Sequence, residues 1–104
     1  MTDPLAVVAE PRRRQILQLI WDRELSAGEI AEALPVSFAA VSQHLAKLRT
    51  AGLVEMRPEG RHRYYRARRR SMGTLAVYLE SMWREKLVDL KRLAEAEEGR
   101  SGED

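Results

Sequence analysis

Cysteine is absent from the 104 residues. That excludes a disulfide framework, a thiolate nucleophile and a thiolate metal site. Long apolar runs are absent as well, since none approaches the ~18–20 residues that a membrane span needs. The opening stretch MTDPLAVVAEPRRR puts an acid before its short apolar run and arginines after it. That is not the order of a secretory signal, so the cytoplasm is the expected location and no membrane partner is expected. No internal repeat and no RNA-binding motif occur. There is no paired histidine and no Ser/His/Asp arrangement with a local signature, so neither an enzyme nor a cofactor is expected.

What is present is an ordinary folded composition, 44% apolar and 33% charged, in a chain long enough for one core and not two. The net charge is only +2, but it is unevenly placed. Residues 57–70, RPEGRHRYYRARRR, hold seven arginines against the single acid Glu59. The segments on either side are both net acidic. Segregated charge sets up a local field, and a polyanion is its natural partner.

Pattern along the chain gives the organisation. Pro4 and Pro11 leave a short apolar helix between them, and Pro11 suits the first position of a second helix. Ile16, Leu17, Leu19, Ile20 and Trp21 give that helix a broad buried face. Ser26 followed by Glu29 is a capping box for a third helix, which must end at Leu34 because Pro35 disfavours helix before it. Ser37 caps a fourth helix, in which Val41, Leu45 and Leu48 recur at helical spacing and Gly52 closes the end. Val54 and Met56 then alternate with Glu55 and Arg57, a half-buried strand. Residues 58–60, Pro-Glu-Gly, read as the turn into a second strand over residues 61–67. A long helix over about residues 71–97 completes the chain, with Ala76, Leu79, Trp83, Leu87, Leu90 and Ala94 on one stripe.

The expected fold is therefore mainly α with a small β-hairpin, in the order α-α-α-α-β-β-α. Two short helices joined by a tight turn and followed by a hairpin form a winged helix-turn-helix. One domain is expected over residues 1–98, with dimerising terminal helices and a disordered tail over 99–104.

Several constellations suit DNA. On the fourth helix Val41, Leu45 and Leu48 point inward, and Ala39, Gln43, Ala46, Lys47 and Thr50 point outward. Ser37, Phe38, Ala39, Ser42 and Gln43 lie at its N-terminal half, the part of a recognition helix that meets base edges. Gln bonds adenine, Ser bonds several edges, and Phe or Ala packs on a thymine methyl. His44 lies between the two faces and reads as packed, hydrogen-bonded or phosphate-facing. A lone histidine is a poor metal candidate. In the hairpin Arg57, Arg61, His62 and Arg63 supply charge, Tyr65 shares a face with Arg61 and Arg63, and Tyr64 is expected to face the core. The bland reading is a charged edge strand, which accounts for one or two arginines but not seven. Arg12, Arg13 and Arg14 oppose the helix dipole, so either phosphates or acids such as Glu10 must offset them. The apolar first and last helices point to a homodimer through Leu5, Val8, Leu79, Met82, Trp83, Leu87 and Leu90.

These residues carry a family resemblance. EPRRRQIL, followed by ELSAGEIAEALPVSFAAVSQHLAKLRTAGLVEMRPEGRHRYYR, resembles the ArsR/SmtB (arsenic-repressor) family over roughly residues 5–98. The resemblance implies a winged-helix homodimer that represses transcription, with DNA contact at Phe38, Ala39, Ser42 and Gln43 and wing contact at Arg61 and its neighbours. Metal-sensing members carry cysteines where this chain has Ser26 and Gly28. Others carry ligands at positions matching Arg69, Ser71, Met82 and Glu85, of which only Glu85 is ligand-type, so no metal site is expected. The expected partners are double-stranded DNA and a second copy of the chain, and any effector is unidentified. The alternative is a winged-helix module that docks protein through its basic wing.

Overall fold

Prolines open both of the first two helices, where a missing N–H is harmless. Helix α1 covers Pro4–Val8 and α2 covers Pro11–Leu19, with Asp3 and Glu10 as their side-chain N-caps. Strand β1, Leu25–Ser26, leads into α3, Ala27–Ala33, and after a short turn comes α4, Phe38–Thr50. Strands β2, Val54–Glu59, and β3, His62–Ala67, form the hairpin. A 3-10 turn at Arg69–Ser71 precedes α5, Thr74–Ser101. The computed structural model describes residues 3–101, apart from the side chains of 86–93 and 96–101.

Local chemistry sets the boundaries of the helix-turn-helix. Ser26 Oγ accepts from the Glu29 N–H at 3.2 Å, and Glu29 Oε1 accepts from the Ser26 N–H at 3.0 Å, the reciprocal bonds of a capping box. Leu34 is extended, as the following proline requires. At the far end of α4, Gly52 has φ +77°. Its N–H reaches the Arg49 carbonyl, and the Leu53 N–H reaches the Leu48 carbonyl, both at 3.0 Å. Those two bonds are a Schellman closure, and buried Leu48 and Leu53 supply the apolar pair that accompanies it.

The sheet has three strands in the order β1-β3-β2, all antiparallel. Strand β1 was not expected, because two residues carry no periodicity. It pairs Leu25 with Tyr65 and Ser26 with Tyr64, making β3 the central strand. The turn is also displaced from its expected place. Pro58 and Glu59 belong to β2, opposite Arg63 and His62, so the two-residue loop is Gly60-Arg61. Gly60 has φ +60° at the first central position, the requirement of a type II′ hairpin. Pro58 is tolerated because β2 is an edge strand.

Register decides the tyrosines. Tyr65 shares a face with buried Val54 and Ala67, while Tyr64 lies on the opposite face with Glu55, Arg57 and Arg66. The expectation that Tyr64 faces the core is corrected. A one-residue difference in turn position cannot be read from two adjacent tyrosines, and it reverses every side chain.

Two units compose the chain, the first ending at Gly73 and the second beginning at Thr74. The division falls inside the single domain expected over residues 1–98. The first unit has Ile16, Leu17, Ile20, Ile30, Val41, Leu45 and Leu48 essentially without exposure. In the second, Leu75, Leu79 and Trp83 recur four residues apart and are buried, and Val77 and Tyr78 are exposed. Helix α5 runs through Gly99 to Ser101, past the expected end near residue 97. A single glycine costs a helix only about 1 kcal/mol and does not have to end it.

Exposure differs along the expected dimer seam. Leu79 is 0% exposed, Val8 5% and Trp83 9% within one chain. Leu5 is 66% exposed and Met82 half-buried. The Leu87 and Leu90 side chains lie outside the described residues.

Candidate nucleic-acid interface

Helix α4 presents two faces of opposite character. Val41, Leu45 and Leu48 are 0–1% exposed, while Phe38, Ala39, Ser42, Gln43, Ala46 and Lys47 are open to solvent. Phe38, the only phenylalanine in the sequence, is 60% exposed. Leaving a large ring in water sacrifices the ~1.5–3 kcal/mol its burial could contribute. The Ser37 hydroxyl accepts from the Ala40 N–H at 3.1 Å, which fixes the start of the helix and leaves the hydroxyl proton to donate outward.

The hairpin brings its tip to this end of α4. Phe38 and Ser42 share a cleft of about 680 Å³ with Arg61, His62, Arg63 and Tyr65. Six of the residues expected to bind DNA are therefore neighbours, although they are up to 27 positions apart in the chain. Arg61 occupies the turn itself, and the Arg61 and Arg63 side chains make no ion pair among the described residues. Ser37, Ala39, Gln43 and Lys47 lie on the same exposed helix but outside this cleft. From Phe38 to Lys47 is ~14 Å of helix axis, so Lys47 sits toward the far end of any groove the helix enters.

The opposite wall of the cleft belongs to α3 and is acidic, with Glu29 and Glu32. The hydrogen bonds from Ser26 hold the Glu29 carboxyl below its ordinary range, against a small cost of burial and with help from the charges of Arg23 and His62. Sequence reading missed this acidic wall, because only the fold brings α3 to the hairpin.

Arg57 is paired within the chain. Its Nε donates to Glu24 Oε2 at 2.9 Å, Nη2 donates to Glu59 Oε2 at 3.3 Å, and the guanidinium lies 5.2 Å from the Tyr64 ring centre. The bond to Glu24 and the two nearby carboxylates raise its pKa above the ordinary arginine value, against the effect of burial. Arg57 ties the base of the wing to the segment before β1. Its contact with Glu24 spans 33 positions, so nothing local in the sequence announces it.

His44 is likewise turned inward, with Nδ1 3.9 Å from Glu10 Oε2. Burial pushes the Glu10 carboxyl up, but the Arg12 and Arg13 backbone N–H groups and the charges of His44 and Arg13 outweigh it, and the net effect is downward. Glu10 Oε2 accepts from the Arg13 N–H at 3.0 Å and caps the start of α2. Arg14 Nη1 donates to the Val8 and Ala9 carbonyls at 2.9 Å each, closing the end of α1, and Arg12 Nη1 donates to Gln15 Oε1 at 2.8 Å. Arg13 Nε is buried, and its 3.9 Å approach to Glu10 is too long for a hydrogen bond. Among the described residues no group of three or more His, Asp or Glu side chains converges as metal ligands would. No helix among them is long and apolar enough to cross a membrane.

Comparison with known proteins agrees with this geometry. The family model described as "Bacterial regulatory protein, arsR family" matches residues 10–56, from the cap of α2 into β2. The HTH-type transcriptional regulator Rv2034 of Mycobacterium tuberculosis is 38% identical over 90 residues, 86% of this chain and 84% of that protein. The transcriptional activator HlyU of Vibrio cholerae is 48% identical over 61 residues, 59% of this chain and 56% of that protein. Among solved structures, a possible transcriptional regulator for arsenical resistance superimposes with a TM-score of 0.69 at 39% identity, covering 88% of this chain and 96% of that one.

Proposed function

The chain belongs to the arsR family of bacterial regulatory proteins and is a DNA-binding transcriptional regulator, and on that premise we propose that it acts in the cytoplasm, without catalysis, as a homodimeric repressor of a near-palindromic operator. One observation carries the reading: exposed Phe38 and Ser42 on α4 share a cleft with the uncommitted arginines of the wing tip. A helix that enters the major groove by its N-terminal half reads bases with Phe38, Ala39, Ser42 and Gln43. Arg61 and Arg63, at and beside the turn, reach the adjacent backbone or a narrow minor groove, where a guanidinium fork matches phosphate oxygens. The Arg57–Glu24 bond and the pairing of β3 with β1 tie the wing to the segment before α3.

The seam of the dimer is drawn from the exposed apolar side chains of the terminal helices, Leu5 on α1 and Val77, Tyr78 and half-buried Met82 on α5. A twofold axis would set two α4 helices ~34 Å apart, one turn of duplex. Repression follows if the operator overlaps a promoter, since an occupied groove excludes polymerase.

Selection from genomic DNA, including the region upstream of the protein's own coding sequence, tests the reading. The expected result is enrichment of a near-palindrome with half-sites one turn apart. Enrichment without sequence preference contradicts it.

A further inference from the structure

A second group of arginines lies apart from the recognition surface. Arg66, Arg68, Arg69 and Arg70 line a cleft of about 410 Å³ with Glu55 and Ser71. The main chain beneath it is pinned. The Ala67 N–H donates to the Ile20 carbonyl at 3.0 Å and the Arg68 N–H to the Leu53 carbonyl at 2.8 Å, while Ala67 itself is 6% exposed. Arg66 and Arg68 therefore stand on the solvent side of a fixed strand end, and the 3-10 turn places Arg69 and Arg70 directly after them. Arg69 is engaged, with Nη1 3.2 Å from Asp22 Oδ1 and its guanidinium 5.8 Å from the Trp21 ring centre. The side chains of Arg66, Arg68 and Arg70 are exposed and make no hydrogen bond or ion pair among the described residues.

This cleft is not the wing tip seen from another angle. Glu55 and Arg66 form a cross-strand pair on the sheet face opposite the one carrying Pro58 and Arg63. Arg66 is also four residues, ~13 Å of strand, from His62 at the turn. A duplex gripped by Arg61 and Arg63 does not need these side chains. Glu55 offsets only part of the charge of the three guanidinium groups around this hollow of small-molecule size, so a net positive charge remains to attract an anion.

We propose that the Glu55–Arg66–Arg68–Arg70 cleft binds a small multivalent oxyanion, a phosphate-bearing or polycarboxylate metabolite. The guanidinium forks take its anionic oxygens in bidentate fashion. Glu55, the one carboxylate in the cleft, accepts from a hydroxyl or amine where the ligand carries one. The site lies on β3, the strand that also carries Arg63, so an occupant touches the element that sets the wing.

Calorimetric titration of the full chain at 0.15 M salt, with pyrophosphate and separately with citrate, tests the proposal and distinguishes the two ligand chemistries. At least one of them should bind with Kd below about 1 mM. R66Q/R68Q/R70Q should weaken that binding about tenfold or more, and R68Q or R70Q alone about threefold. R61Q/R63Q should leave it unchanged, and circular dichroism should show every variant folded. The proposal is overturned if neither anion binds, or if the triple variant binds as the wild type does. It is also overturned if the loss follows R61Q/R63Q, or if a short duplex displaces the anion from R61Q/R63Q protein, because the cleft then belongs to DNA.

Discussion

The start of α2 and the tip of the wing are both rich in arginine, and the fold treats them in opposite ways. Arg12 and Arg14 are satisfied from within, by Gln15 and the last carbonyls of α1, and Arg13 is held 3.9 Å from Glu10 with its buried Nε unfilled. Arg61 and Arg63 meet no carboxylate among the described residues and border the cleft that holds Phe38 and Ser42. In sequence the two clusters differ little. Density of positive charge therefore does not mark a polyanion site. What marks it is donors left unfilled after the chain has folded, next to side chains that have no reason to be exposed except contact.

Breaking that contrast gives the largest effects. R61A/R63A should reduce affinity for every duplex by about tenfold or more, with thermal stability unchanged, as measured by fluorescence anisotropy and thermal melting. Arg14→Ala should do the reverse. Loss of two charge-assisted bonds at the end of α1 should cost about 1 kcal/mol in a denaturant titration, with DNA affinity per folded molecule unchanged. A drop in DNA affinity without a change in stability would place Arg14 on the duplex.

Smaller effects sharpen the account. Gln43→Ala should relax preference at one base pair of each half-site, by about 1 kcal/mol in a competition series over point-substituted operators. The last concerns Glu10, whose pKa is depressed on folding. A depressed carboxyl stabilises the fold above its ordinary value of 4.5 and loses that contribution as pH falls through the lower folded value. Glu10→Gln should therefore lower stability in the neutral region and flatten the acid limb, leaving the most acidic end little changed.

Much of this was legible in the residues, for reasons that differ by element. The capping box at Ser26, the stop before Pro35 and the Gly52 closure are local chemistry, decided within four or five residues, and they fall where the sequence puts them. The hairpin is legible as a period-2 pattern, but its turn lies at Gly60-Arg61 and not at residues 58–60, because Pro-Glu-Gly and Gly-Arg are both acceptable turns and only the register chooses. The same choice moved Tyr64 off the core. Strand β1 was invisible, since two residues gain strand geometry only by pairing with β3. Phe38 and the wing arginines stand out in the sequence by type and position, and the fold brings them to one cleft. Arg57 supplies charge to the hairpin and His44 reads as packed, hydrogen-bonded or phosphate-facing; the fold sets them beside Glu24 and Glu10, partners that local reading does not supply.

The central claim is that the duplex is read by the exposed face of α4 and held by arginines that the fold leaves unpaired. The salt dependence of operator binding tests it most directly. For R61Q/R63Q the slope of log K against log salt should become shallower by about 1.8 per protomer, with the preferred sequence unchanged, whereas R12Q/R14Q should keep the wild-type slope. An unchanged slope for R61Q/R63Q, together with a reduced one for R12Q/R14Q, would contradict the account and move the duplex to the start of α2.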